Sequence, residues 1–140
     1  MLNFQKFSAV TGRILLGLYF LVPGISKVSG FEETSTYMSE HGMILIPFFL
    51  VITIILQIGG GMALILGFRF SEVSFMFAVL TLIISLVMHD FWNLEPGIQQ
   101  AHEMQNFVKN MAIMAGLLVL SATQHIGTWS LTNSANEANA

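Results

Sequence analysis

Met43 to Phe68 reads MILIPFFLVITIILQIGGGMALILGF, a stretch without one ionisable side chain. As a helix rising about 1.5 Å per residue, it is long enough to cross a hydrocarbon core of roughly 30 Å. A backbone in lipid has no water to bond, so its amides must pair within the segment. The stretch therefore predicts a membrane-spanning helix, and the rest of the chain is read around it.

Upstream, an apolar run from Ile14 to Ile25 follows Arg13, with no small-residue cleavage site behind it. It predicts a retained first helix over Phe7 to Val28, bent at Pro23, with Lys27 snorkelling outward. Ser29 and Glu32 have the spacing of a capping box and predict a short interfacial helix that ends near Gly42. The central stretch supplies helix two, Ile44 to Phe68, stopped by Gly67 and Arg69. Helix three is expected from Ser71 to Met88, with Trp92 at headgroup level beyond it. Pro96 suits a first helical position, so helix four is expected from Pro96 to Ala122. The expectation is an all-α transmembrane four-helix bundle with a short interfacial helix between helices one and two. It forms one domain over 1–132, followed by a disordered polar tail over 133–140.

Composition narrows the function classes. Of 140 residues, 54% are hydrophobic and 9% charged, against roughly 25% charged in soluble domains. A soluble surface cannot be built from that. The absence of cysteine excludes disulfides, thiolate metal sites and thiol redox chemistry. Five scattered Lys and Arg with a net charge of −3 exclude a nucleic-acid surface. Four crossings put both termini on one side. The side with Lys6, Arg13, Arg69, Glu72 and Glu137 sums to +1 and the other to −4. Basic residues number three against two, which places the termini in the cytoplasm of a cell whose inner (plasma) membrane holds the chain.

Polar residues inside apolar helices are candidates for function, because the bilayer rejects them unless something matches them. Arg13 shares a helical stripe with Gly17, Gly24 and Lys27 and points either into the bundle or to lipid headgroups. Gln57 precedes Gly60 and Gly61, a pattern that suits helix packing more than ligand contact. Ser74, Ala78, Thr81, Ser85 and His89 form a small, mildly polar face whose hydroxyls can bond back to their own carbonyls. His89 beside Asp90 is either a proton-handling pair or a solvated interfacial residue. Helix four adds His102, Asn106 and Lys109 on one face, with Glu103 and Asn110 adjacent. No two His stand at i,i+4, so no metal site is assigned. Lys27, His89, Trp92, Asn106, Lys109 and Asn110 are the expected lining of a pocket for a small neutral or anionic ligand. No catalytic residue is identified.

Four segments, GRILLGLYFLVPGISKVSGF, LQIGGGMALILGF, HDFWNLEP and FVKNMAIMAGLLVL, occur in this order between Gly12 and Leu120. Together they resemble the DoxX family of small integral membrane proteins. The resemblance implies a four-helix bundle linked to respiratory redox systems. The family takes its name from subunits associated with thiosulfate:quinone oxidoreductase, and other members are linked to oxidative-stress complexes. It carries over positions Arg13, Gly24, Lys27, Gly60, Gly61, Trp92, Lys109 and Asn110. The family usually has Glu where this chain has Gln57, which here removes a carboxylate partner for Arg13 and a proton acceptor.

Three functions are compatible with these residues. The first, which the resemblance implies, is an accessory or quinone-linked subunit of a membrane redox complex, not an autonomous enzyme. No haem, flavin or iron–sulfur signature occurs, so the chain would supply a lipid-facing groove and a polar pocket rather than a redox centre, with a quinone as the cofactor that this reading admits. There Lys109 or His89 would bond a quinone carbonyl, while Trp92 and Phe91 cover the ring. The second is a small transporter, working as a homo-oligomer, with Arg13, Gln57, Ser85, His89 and Lys109 along a wet route. The third is an assembly partner that docks another membrane protein through its glycine faces.

Overall fold

The computed structural model describes residues 2–123; the expected polar tail lies outside the described residues. Among them are five α-helices and no strand: α1 Leu2–Ser29, α2 Phe31–Glu40, α3 Ile46–Leu66, α4 Phe70–Met88 and α5 Ile98–Ala122, with one 3-10 turn at Phe91–Asn93. The fold is all-α. Three stretches, Phe4–Ser29, Ile46–Leu66 and Phe70–Asn93, are long and apolar enough to cross a membrane. The first half of α5 carries Gln99, Gln100, His102, Glu103, Gln105, Asn106, Lys109 and Asn110, so its mean hydropathy falls below theirs.

Backbone chemistry sets the ends of these elements. At Gly67 (φ 74°) the chain turns left-handed, Phe68 N–H donates to the Ala63 carbonyl at 2.8 Å and Gly67 N–H to Leu64 at 3.1 Å. That pair of bonds closes α3 with a Schellman turn. Gly42 (φ 70°) ends α2 in the same manner, with Met43 N–H bonded to the Met38 carbonyl and Gly42 N–H to Ser39. The Ser29–Glu32 capping box does not form. α1 continues through Ser29, whose hydroxyl donates back to the Ser26 carbonyl at 3.0 Å, and Gly30 takes the N-cap position of α2 without a side-chain cap. Helix four starts two residues later than expected, because Gly97 occupies its N-cap.

The helices associate as two antiparallel pairs, α1 with α3 and α4 with α5. Small residues set the first pair. A Cβ on Gly61 would stand 2.9 Å from the Gly17 carbonyl oxygen, and one on Gly24 would stand 2.9 Å from Gln57 Cβ. Such contacts let two backbones approach closely, the main source of helix association where lipid removes the hydrophobic driving force. Gly60 gives the same room to Phe77 of α4. The second pair is held at both ends, by a hydrogen bond from Ser71 Oγ to the Ser121 carbonyl and by His89 against Glu103 at 2.7 Å.

The pairs join through two clusters. Phe20 and Phe77 stack at 3.8 Å with planes 6° apart, surrounded by Leu64, Phe70, Ala78 and Leu117. At the other end α2 presses Met38 onto Leu50 and Met88. Leu15, Ile25, Ile55, Phe75, Ile83 and Val119 remain exposed, an apolar exterior drawn from α1, α3, α4 and α5 that fits acyl chains and not water.

Candidate functional site

On the α2 side of the Phe20–Phe77 stack, between the two helix pairs, lies a cavity of about 980 Å³. Its walls are largely aliphatic, with Leu50 and Leu56 from α3, Leu80 and Ile84 from α4, and Met38 from α2. Val22, Phe49, Ile52 and Ile83 also line it while staying substantially exposed. The cavity is therefore a cleft that opens laterally toward lipid.

Its depth holds neutral polar groups. Gln57 and Thr81 are only 5% and 3% exposed, and Gln57 Oε1 and Thr81 Oγ1 have no hydrogen-bond partner. Neighbouring hydroxyls on the same face of α4 behave differently: Ser74 Oγ donates to the Phe70 carbonyl at 2.6 Å and Ser85 Oγ to Thr81 at 2.7 Å. Two unbonded polar atoms in an apolar interior are costly unless something bonds them. Asn110, buried on α5, accepts the Tyr19 hydroxyl at 3.1 Å and so ties α1 to α5 beside the same space.

The rim toward α2 is charged and aromatic. Lys27 and Glu33 line it, and Lys27 makes no hydrogen bond or ion pair among the described residues. Tyr37 donates to the Met88 carbonyl at 3.4 Å, bridging α2 to the end of α4. Partial burial, with Glu103, Asp90 and Glu40 nearby, pushes its phenol pKa above the ordinary value. His89 lines the cleft and pairs with Glu103 of α5, which also accepts from Asn106 at 3.4 Å. The expected His89–Asp90 pair is corrected on this point. Asp90 turns into the following turn and accepts from Asn93 at 2.9 Å, because the close approach of α5 brings Glu103 to the imidazole.

Of the six residues expected to line one pocket, the structure brings together Lys27, His89 and Asn110. Asn106 stands behind His89 on Glu103. Trp92 sits outside the cleft, half exposed, edge-on to Phe91 and Phe107 at 5.2 and 5.7 Å. Lys109 is on the outer surface of α5. Arg13 lies at the opposite end of α1, buried, with Nη2 3.5 Å from the Ile65 carbonyl and its guanidinium 5.8 Å from the Phe70 ring centre. Arg13, Gln57, Ser85, His89 and Lys109 thus share no single channel. The sequence marks Thr81 only as one member of a mildly polar helix face and does not mark Tyr19 or Tyr37 as site residues. Tyr19 carried a signal, a hydroxyl inside an otherwise apolar run that has to find an acceptor.

Residues 8–90, running from within α1 to just past the end of α4, match the family model described as DoxX. Among curated proteins the chain is similar to the inner membrane protein YqjF of Escherichia coli (strain K12), 30% identical over 124 residues that make up 88% of each chain. It is also similar to the inner membrane protein YphA of the same organism, 28% identical over 111 residues and 79% of each. No solved structure matches. The matched family segment takes in α3, α4 and the glycines that seat them, and the chain belongs to the DoxX family of integral inner-membrane proteins.

Proposed function

We propose that the chain is an accessory subunit of a membrane redox system, one that crosses the bilayer four times and holds a quinone in its lateral cleft. The observation that carries this reading is the pair of buried, unbonded atoms, Gln57 Oε1 and Thr81 Oγ1, inside a cavity of about 980 Å³. Apolar walls suit a ring and the start of a lipid tail, and the lateral opening suits entry from the bilayer. The Thr81 hydroxyl can donate to a quinone carbonyl, and Gln57 Oε1 can accept from the hydroxyl of the reduced form. The quinone itself would supply two-electron carriage. The chain's part is to bind, orient and shield it, with Asn110 and Tyr19 fixing one wall.

The fourth crossing rests on α5, which lies antiparallel to α4 along its length, and both termini then share the cytoplasmic side that the basic residues favour. Reporter fusions at the C-terminus and in the Glu95–Gly97 connection should report opposite sides; fusions reporting the same side would remove this crossing.

Binding is tested by adding a short-tailed quinone to the detergent-solubilised protein. Its melting temperature should rise, since a ligand that binds only the folded state stabilises it. Thr81→Val keeps the side-chain shape and removes the unbonded hydroxyl. It should leave the ligand-free protein unchanged or more stable by about 1 kcal/mol while weakening the quinone-induced shift. A melting temperature indifferent to quinone in both proteins would defeat the proposal.

A further inference from the structure

We infer that the outer face of α5 is the docking surface for a transmembrane helix of another protein, one that carries an Asp or Glu at the level of Lys109. The inference rests on α5 being the fourth crossing and is independent of what fills the cleft. Two contacts fix the register of α5 against α4, His89 with Glu103 at one end and Ser71 with Ser121 at the other. The same number of residues separates these contacts along both helices. Lys109 therefore stands level with Ile83, about 8 Å inside the Met88 end of α4 at 1.5 Å per residue. That is hydrocarbon depth, and Lys109 is exposed there.

Lys109 is not alone. His102, Gln105, Lys109, Ala112 and Gly116 follow one another at alternating spacings of three and four, and all are exposed. They form a single stripe down the helix. Among the described residues His102, Gln105 and Lys109 make no hydrogen bond or ion pair, and a Cβ on Gly116 would meet nothing within 4 Å. The upper half of the stripe offers donors and a positive charge, and the lower half offers small residues that admit a neighbouring backbone. Snorkelling of Lys109 to a headgroup would account for the charge. It would leave the small residues one and two turns deeper without a role, whereas a docked helix uses both halves.

Charge complementarity selects the occupant. A second copy related by an axis along the membrane normal would set Lys109 against Lys109. No described acidic residue of this chain lies at that depth, since Glu103 is engaged with His89 and the remainder lie outside the level of Ile83. A helix with a carboxylate at the matching level satisfies the ammonium and excludes lipid from Ala112 and Gly116.

The experiment places a photo-crosslinking benzoyl-phenylalanine at Gln105 or at Ala112 of the full chain in native membranes and sequences the crosslinked peptides. The expected product is a transmembrane segment that bears Asp or Glu. Its yield should fall about tenfold in Lys109→Glu and less in Lys109→Met, and should be restored to Lys109→Glu when the captured carboxylate is changed to Lys. Both variants should keep the parent melting temperature, because Lys109 is exposed and makes no hydrogen bond or ion pair among the described residues. Crosslinks to phospholipid alone, to a second copy alone, or at a yield indifferent to Lys109→Glu would overturn the inference. Ala112→Cys, in a chain without native cysteine, separates the two readings. Labelling by a membrane-impermeant maleimide would refute the fourth crossing and the docked helix together. Protection from the label combined with lipid-only crosslinks would refute the docked helix alone.

Discussion

Arg13 and Lys27 sit on the same helix four turns apart, and the chain treats them in opposite ways. Arg13 is 4% exposed and reaches the last turn of α3, where its Nη2 meets the Ile65 carbonyl. A helix C-terminus presents unpaired carbonyls and the negative end of the helix dipole, so a guanidinium there is matched by backbone. The Phe70 ring flanks it, and Gly67 leaves the space it occupies. Lys27 is half-buried against the cleft and meets no acceptor or carboxylate among the described residues. Within a bilayer protein a cation is structural where a helix end has been brought to it. It is available for a ligand where the fold leaves it beside a void.

The largest expected effect comes from closing the space around the matched cation. Gly67→Val would force a branched side chain into a left-handed conformation and drive its Cβ into the Arg13 guanidinium. We expect a loss of about 3 kcal/mol or failure to fold, from backbone strain and overpacking together, read as a lowered melting temperature in detergent. Gly59→Ala is the contrast. Its Cβ meets nothing within 4 Å, so it should raise stability by roughly 0.5–1 kcal/mol through helix propensity alone. If both substitutions shift the melting temperature alike, the close contact around Arg13 is not what stabilises that end.

A smaller effect separates the two cations directly. Arg13→Met removes the contact with the α3 terminus and should cost about 1–2 kcal/mol. Lys27→Met removes a charge that no described residue matches, so stability should stay level or rise, while the quinone-induced rise in melting temperature changes. Equal destabilisation by both variants would show that Lys27 has a structural partner and would collapse the distinction.

How far the sequence alone reveals these features follows from the range of the interactions. The three spanning helices are written in local hydropathy, so their limits were readable to within a few residues, apart from the longer start of α1. Gln57 was visible as the strongly polar residue of its helix, and the Ser74, Ala78, Thr81, Ser85 face is buried throughout. What distinguishes Thr81 was not readable, since Ser74 and Ser85 find carbonyls of their own helix and only the packed bundle shows that Thr81 does not. His89 taught the same lesson. Sequence proximity offered Asp90, but the antiparallel fit of α4 and α5 delivered Glu103 across fourteen residues. The Arg13–Gly67 fit joins residues more than fifty positions apart, and no local pattern encodes it. Ser29 and Glu32 show the reverse error, a correct local spacing overridden because α1 ran one residue further than the box allows.

The smallest effect tests the rim of the cleft, where α2 is tied to α4 by the Tyr37 hydroxyl and the Met88 carbonyl. Burial first, then the negative charges of Glu103, Asp90 and Glu40, raise the Tyr37 pKa above its ordinary 10.0 in the folded protein. Between the ordinary and the raised value the unfolded chain loses the proton more readily than the folded one. Stability is therefore fully present below pH 10 and declines as pH rises toward the folded pKa. In Tyr37→Phe this alkaline decline should weaken, and the difference between variant and parent melting temperatures should be constant below pH 10 and narrow above it. Since the residue is more than a third exposed, solvent screening keeps the change small. A difference that stays constant through the alkaline range would mean that the phenol is ordinary and that the rim of the cleft is as open to water as the α2 surface. The unmatched Lys27 would then stand in bulk solvent, with no void to define its role.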